Sequence, residues 1–363
     1  VFRLLVAGGG TGGHLFPGLA VAEEFQRRDP QTQVLFVGTG RPVELEVLGR
    51  YGLPSRTITA LGLKGKSLIE RLRSLAAVPV GLFQSARIIR DFRPDLVFGV
   101  GGYVSGPVGL AARMLGCPTA IHEQNSVPGL TNRLLGRLVD LVFISFESAR
   151  RFFPADKTHL TGNPVRREIA DLAGAAAAKK DGRFVLLVVG GSQGAQAVNQ
   201  ALVGAVDILR REDPPFRLIH QTGTKDLDQV KQAYEVMGLK AEVRPFIQDM
   251  GRAYLAADLV VARAGALTVA ELAVMGRPAV FIPLPTAANN HQELNARFLA
   301  EAGAAEIIRQ SELTPELLAE KIKALIRDRD RLKRMAAAAA KLARPEAAGA
   351  ICRVCLNYLG RAG

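Results

Sequence analysis

Three glycine clusters and two polar stretches have the residue types and spacing to handle a phosphorylated ligand. Gly8-Gly9-Gly10-Thr11-Gly12-Gly13-His14 follows an apolar run and precedes a helical pattern, with glycines at Gly8-x-Gly10-x-x-Gly13. Such glycines let backbone N–H groups approach a phosphate, and the helix N-terminus behind them supplies positive potential. Gly99-Val100-Gly101-Gly102-Tyr103-Val104-Ser105-Gly106-Pro107 and Gly190-Gly191-Ser192-Gln193-Gly194 repeat the arrangement further along. His122-Glu123-Gln124-Asn125 closes another apolar run and suits hydroxyl recognition or acid–base work. In Arg263-Ala264-Gly265-Ala266-Leu267-Thr268-Val269-Ala270-Glu271, the last residue lies one turn into a helix. A carboxylate there accepts both hydroxyls of a ribose while the first amides meet phosphate. The alternative is a capping box, whose spacing Thr268 and Glu271 also have.

These groups need strands to carry them. Phe2–Ala7, Gln33–Val37, Leu96–Val100, Thr119–His122 and Leu141–Ser145 read as buried parallel strands, with helices such as Phe16–Arg28 and Ser105–Leu115 between them. A second series comprises Phe184–Val189, Arg217–His220, Glu242–Arg244, Asp258–Ala262, Ala279–Pro283 and Ala304–Ile308. The alternation predicts an α/β protein with two Rossmann-like domains in tandem. Gly162-Asn163-Pro164 reads as the linker, giving domains of residues 1–163 and 164–344. A long helix is expected from near Thr314 to Arg344-Pro345, and a last one from Glu346 to Leu359 within the closing segment 345–363. Asp226-x-Asp228 reads as helix capping, and Cys352-x-x-Cys355 as packing within the last helix.

The chain has 363 residues, 48% of them hydrophobic, enough for two cores and too apolar for a disordered chain. Three cysteines exclude a disulfide scaffold. No apolar run is long enough to span a bilayer, and the start lacks a signal-peptide pattern, so a soluble protein of the cytoplasm is expected. The formal net charge of +13 favours anionic partners, and Arg56 to Arg93 alone holds eight basic residues against two acids. With aromatics at 6%, no basic stacking platform for nucleic acid is legible, and none is expected as a partner. The second strand ends in Gly38-Thr39-Gly40-Arg41, without the acid that grips the ribose of NAD; Arg41 leaves an NADP-dependent oxidoreductase as an alternative.

Taken together and in order, Gly8–His14, Gly99–Pro107, His122–Asn125, Gly162–Arg166, Gly190–Ala195 and Ala264–Glu271 resemble the MurG family across essentially the whole chain. The resemblance implies the GT-B fold, with a cleft between two Rossmann-like domains and a final helix crossing back to the first. It implies a UDP-GlcNAc-dependent transferase acting on lipid I to form lipid II, with no cofactor and no metal. By position, the donor contacts implied are Thr11, Gly12, Gly13, Asn125, Arg166, Ser192, Ile247, Ala266, Leu267, Thr268, Val269, Ala270, Glu271 and Gln292. The family often has Gln-Gln where this chain has His291-Gln292. Gly10, Gly101, Gly102, Tyr103 and Ser105 are assigned to the acceptor diphosphate. His14 is the first candidate for the base, because histidine titrates near neutrality, and Glu123 is the alternative. Another glycolipid transferase of the same fold stays open as a reading.

A membrane-borne acceptor needs an enzyme at the bilayer surface. Leu68, Ile69, Leu72 and Leu75 fall on one helical face, ringed by Lys64, Lys66, Arg71 and Arg73, with Phe83 following a break at Pro79. This pattern predicts peripheral attachment to the anionic inner leaflet of the cell membrane, on its cytoplasmic side.

Overall fold

The computed structural model describes residues 1–9, 12–60, 68–175, 182–191, 194–211 and 216–361, without the side chains of 68–77. Two compact units emerge: Val1–Arg167 with Glu346–Gly363, and Glu168–Pro345.

The first unit is built on seven strands: β1 (Arg3–Ala7), β2 (Gln33–Gly38), β3 (Ser55–Thr57), β4 (Leu96–Gly99), β5 (Thr119–Glu123), β6 (Leu141–Ile144) and β7 (Thr158–Leu160). They form one parallel sheet in the order β3-β2-β1-β4-β5-β6-β7. Leu5 sits in register with Leu35 on one side and Val97 on the other. Successive side chains of a strand face opposite ways, and β1 uses both faces. Leu4 and Val6 pack with Leu15, Leu19 and Phe25 of the helix Gly12–Arg28, and with Ile351, Cys352 and Cys355 of the helix Ala347–Tyr358. Leu5 and Ala7 pack with Ile89 of the helix Leu68–Phe92 and with Val104, Val108 and Ala111 of the helix Gly102–Met114. Each such buried aliphatic chain contributes roughly 1.5–3 kcal/mol.

The second unit repeats the plan with β8 (Phe184–Val189), β9 (Phe216–Gln221), β10 (Ala241–Arg244), β11 (Leu259–Ala262), β12 (Ala279–Phe281) and β13 (Ala305–Ile307). Its parallel order is β10-β9-β8-β11-β12-β13. Leu186 and Val188 meet Val198, Leu202 and Val206 of the helix Gln196–Leu209, with Leu318 and Ile322 of the helix Pro315–Arg327 completing that layer.

In each sheet the chain starts centrally, winds outward one way and then returns to wind the other way. The reversal falls between β1 and β4 in the first unit and between β8 and β11 in the second. Such switch points leave a crevice outside the carboxyl ends of the strands, where ligands bind in open α/β sheets.

Three local expectations are corrected. The helix Leu68–Phe92 runs through Pro79 without breaking there. The long helix expected from Thr314 is two, Pro315–Arg327 and Arg329–Lys341; Asp328 leaves the helical region and its Oδ1 accepts from the Arg331 amide at 2.8 Å. Asp226 precedes the helix Leu227–Val236 without capping it, its Oδ2 accepting from Asn199 Nδ2 at 2.7 Å. The predicted strands are present, and β3 and β7 are two short ones the sequence reading did not include.

Candidate functional site

In the first unit the loops after β1 and β4 meet at the switch point. A Cβ on Gly8 would collide with Val100 Cγ2, and one on Gly102 would lie 3.1 Å from the Gly9 carbonyl oxygen. Gly101 and Gly102 have φ of 89° and 76°, a region that favours glycine. The helix Gly102–Met114 follows directly, so its first amides point out at the rim with no intrahelical acceptor. Tyr103 is about half exposed there. Ser105, expected on the acceptor diphosphate, is instead fully buried; its hydroxyl lies 2.8 Å from the carbonyls of both Ala7 and Gly101 and ties the loop to β1. Gly12 and Gly13 open the helix Gly12–Arg28, while Gly10 and Thr11 lie outside the described residues.

His14 stands on that helix, half-buried, with Nδ1 3.2 Å from Gln124 Oε1. The next link is buried: Gln124 Nε2 donates to the Val100 carbonyl at 2.9 Å and lies 3.1 Å from His122 Nδ1. His122 Nε2 in turn is 3.1 Å from the Gly162 carbonyl oxygen. Burial pushes the His122 pKa down to about 4, so the ring is neutral through the physiological range.

Glu123, the alternative base, is fully engaged. Oε1 accepts from the Asn125 amide at 2.9 Å and Asn125 Nδ2 at 3.2 Å; Oε2 accepts from Asn132 Nδ2 at 2.9 Å and the Gly129 amide at 3.3 Å. Burial raises its pKa, and these four donors work against the rise. Its geometry is that of a pin for the 125–132 loop. Arg166, expected with the second domain, belongs to the first unit, where its guanidinium lies 4.6 Å from the Phe16 ring centroid.

The sequence left one acid near β2 unread. Glu44 folds back on the loop after β2, accepting from Thr39 N and Oγ1 at 2.9 Å and from Gly40 N at 3.0 Å. A Cβ on Gly9 or Gly38 would strike its carboxylate. The buried Glu44 side chain thus ties up the loop beside Arg41 on which an NADP reading would depend, which argues against the oxidoreductase.

In the second unit the loops after β8 and β11 leave neighbouring strands, with Val189 in register with Ala262. The helix Ala266–Val274 begins behind Gly265, and Val269 N is the first amide to close back, on Gly265 O at 3.0 Å. The amides of Ala266, Leu267 and Thr268 precede that first intrahelical bond, leaving them at the positive end of the helix. Val269 itself is buried and its N–H is used, so it shapes the turn; Ala270 follows it inside the helix. Glu271 is 4% exposed and its Oε2 accepts from the Tyr254 hydroxyl at 3.0 Å. The capping box therefore does not form: Gly265 is the N-cap, and the carboxylate is turned to Tyr254.

Gln221, at the end of β9, was missed by the sequence reading. Its Nε2 donates to Gly191 O at 3.1 Å and its Oε1 accepts from Ile247 N at 2.9 Å, tying the glycine loop to the 246–247 segment. The Ile247 amide is thus already used within the protein. Gln292, on the helix His291–Ala300, accepts from Leu284 N at 3.0 Å and closes the loop after β12. Ser192 lies outside the described residues.

On the helix Leu68–Phe92, Phe83 is 71% exposed and Val80 48%. The residues Lys64 and Lys66 lie outside the described residues, and Leu68, Ile69, Arg71, Leu72 and Leu75 are described as helical backbone alone. Among the described residues, no helix is long and apolar enough to cross a membrane.

Two doubly wound sheets, each with glycine-built helix N-termini at its switch point, define an α/β protein of the GT-B class. Residues 4–144 match the glycosyltransferase family 28 N-terminal domain, and residues 185–351 its C-terminal domain. A Myxococcus xanthus protein named UDP-N-acetylglucosamine–N-acetylmuramyl-(pentapeptide) pyrophosphoryl-undecaprenol N-acetylglucosamine transferase is 47% identical over 99% of this chain and 94% of its own length. A Geobacter sulfurreducens protein of the same name is 49% identical, covering 96% of each. Among solved structures, Acinetobacter baumannii MurG matches with a TM-score of 0.77 and 36% identity, over 98% of this chain and 99% of that one. Staphylococcus aureus MnaA, solved with UDP, shares the fold at 16% identity, with a TM-score of 0.71 over 99% of this chain and 98% of that one. The chain belongs to glycosyltransferase family 28, in its MurG family, and is a glycosyltransferase.

Proposed function

We propose that this chain transfers N-acetylglucosamine from UDP-GlcNAc to lipid I, giving the lipid II of peptidoglycan synthesis. The full-length identity of 47–49% to transferases named for that reaction supports the reading. The observation in this molecule that carries it is the second switch point, where unused helix amides and a pinned acid stand side by side.

There the amides of Ala266, Leu267 and Thr268 receive the diphosphate, and Glu271 Oε1 accepts from the ribose diol. Ser192 adds a hydroxyl to the phosphates, the Ile247 carbonyl meets the uracil, and Gln292 with the Ala270 turn borders the sugar. Arg166 and Asn125 extend the donor contacts. In the first unit, Gly10 and the Gly101-Gly102-Tyr103 turn meet the acceptor diphosphate, while Thr11, Gly12 and Gly13 join the donor contacts. The C4 hydroxyl of the acceptor's muramoyl sugar attacks the anomeric carbon from the face opposite the leaving UDP. The new C–O bond forms as the bond to phosphate breaks, inverting that carbon. The hydroxyl proton passes to His14, and the helix dipole stabilises the departing diphosphate. The enzyme works at the inner face of the cell membrane, held by the exposed Phe83 and by the basic residues that the sequence concentrates between Arg56 and Arg93.

The test is transfer of label from UDP-GlcNAc to a short-chain lipid I analogue by the purified protein, with a glycolipid lacking the muramoyl sugar as control. Label on the control alone would favour a different glycolipid transferase. UDP, and not NADP, should raise the melting temperature.

A further inference from the structure

The buried chain of hydrogen bonds behind His14 has a direction, and that direction starts from a backbone carbonyl. Gly162 O can only accept, so the His122 nitrogen facing it at 3.1 Å, Nε2, carries a proton. The Ser145 hydroxyl donates to Glu123 O at 3.1 Å, which leaves its lone pairs to the same Nε2–H at 3.3 Å. A neutral imidazole has one N–H, so His122 Nδ1 is the acceptor. It faces Gln124 Nε2 at 3.1 Å, and that nitrogen also donates to Val100 O at 2.9 Å. Flipping the amide would set its oxygen against the Val100 carbonyl. The orientation is therefore fixed, and Oε1 is the atom that meets His14 Nδ1 at 3.2 Å.

We propose that Gln124 is the positioning residue for the base: its amide, oriented by Val100 and His122, holds the His14 proton on Nδ1 and makes Nε2 the nitrogen that takes the acceptor's proton. The proposal rests on the reading of His14 as the base. The other tautomer would set two lone pairs facing each other in a part-buried contact, with Gln124 itself 2% exposed. Once Nε2 has taken the proton, Nδ1–H still donates to Gln124, so the arrangement serves the imidazole and the imidazolium alike. It orients the ring with a neutral group, where many catalytic histidines use a carboxylate. His122 holds its single proton because burial keeps it neutral.

The test is a nitrogen NMR spectrum of the full chain with 15N-labelled histidine. The chain has five histidines, and His14→Gln identifies the His14 signals by their loss. At a pH where the ring is neutral, the expected pattern is a protonated Nδ1 and an unprotonated Nε2 on His14, with the opposite pattern on His122. A His14 protonated on Nε2 overturns the proposal, with no variant required. In Gln124→Met, which keeps the volume and loses the amide, the Nδ1–H preference should vanish. Its kcat should fall about 10²-fold, with both KM values within about twofold. Gln124→Glu keeps an acceptor for Nδ1 but sets its second oxygen against the Val100 carbonyl, so it should keep the Nδ1–H tautomer while melting below the wild type. A Met variant with wild-type tautomer and kcat refutes the proposal. Full kcat in His14→Gln alongside the expected wild-type spectrum removes the base reading while the tautomer control stands, so the two failures are distinct.

Discussion

Glu271 and His14 are both held from behind by a neutral partner. The Tyr254 hydroxyl donates to one oxygen of the Glu271 carboxylate at 3.0 Å, which fixes the orientation of the group proposed to take the ribose diol. A hydrogen bond to a charged group is worth about 1.5–3 kcal/mol, so Tyr254→Phe should raise the KM for UDP-GlcNAc roughly tenfold with kcat little changed. An unaltered KM in steady-state kinetics would mean that the carboxylate needs no such support. His14→Ala should lower kcat by about 10²-fold or more. A variant with near-normal kcat and only a weaker KM would move the proton acceptor elsewhere. At this scale the sequence was legible as motif and illegible as role. His122, Glu123, Gln124 and Asn125 read as one polar tetrad, but only the fold shows that Glu123 is consumed by Asn125, Gly129 and Asn132 while Gln124 turns to His14. Glu44 was hidden because its carboxylate accepts mainly from the backbone amides of residues 39 and 40, which a side-chain pattern does not record.

At the scale of elements, each sheet buries a histidine beneath its rim. His122 in β5 has its pKa lowered to about 4, and His220 in β9 has its own lowered to about 3; burial is the cause in both. Unfolded histidine titrates near 6.5, so between that pH and about 4 the unfolded chain binds more protons than the folded one. The stabilisation is complete above about pH 6.5 and is lost as pH falls. The free energy of unfolding should therefore drop steeply from pH 7 to pH 4.5, by on the order of several kcal/mol from the two rings together, and the melting temperature should fall with it. A flat profile would show that these rings are hydrated in solution. The strands were legible because parallel strands buried on both faces are short apolar runs, as in Phe184–Val189. β3 and β7 were not, because Ser55–Thr57 and Thr158–Leu160 are polar three-residue edge strands with no such run. The split at Asp328 was masked by an amphipathic pattern that continues through it, with Ile326 and Leu332 both buried. Pro79 misled in the other direction: the helix carries it internally, and beyond it Leu82, Ala86 and Ile89 pack into the core with Leu5 and Ala7.

At the scale of the whole molecule, the net charge of +13 and the exposed Val78, Val80 and Phe83 on one helix support attachment to an anionic surface. Each basic residue near such a surface contributes roughly 1 kcal/mol. Flotation should show the protein rising with vesicles containing anionic lipid and staying behind with neutral ones. Equal recovery with both would remove the electrostatic part, and Phe83→Asp should reduce recovery on the anionic vesicles by at least severalfold. The division of labour between the two units is the claim on which the mechanism depends, and a crystal structure with bound UDP tests it most directly. The account predicts the diphosphate on the amides of Ala266 to Thr268 and the ribose on Glu271. UDP lodged on the Gly8–Gly13 loop of the first unit, away from Glu271, would contradict it.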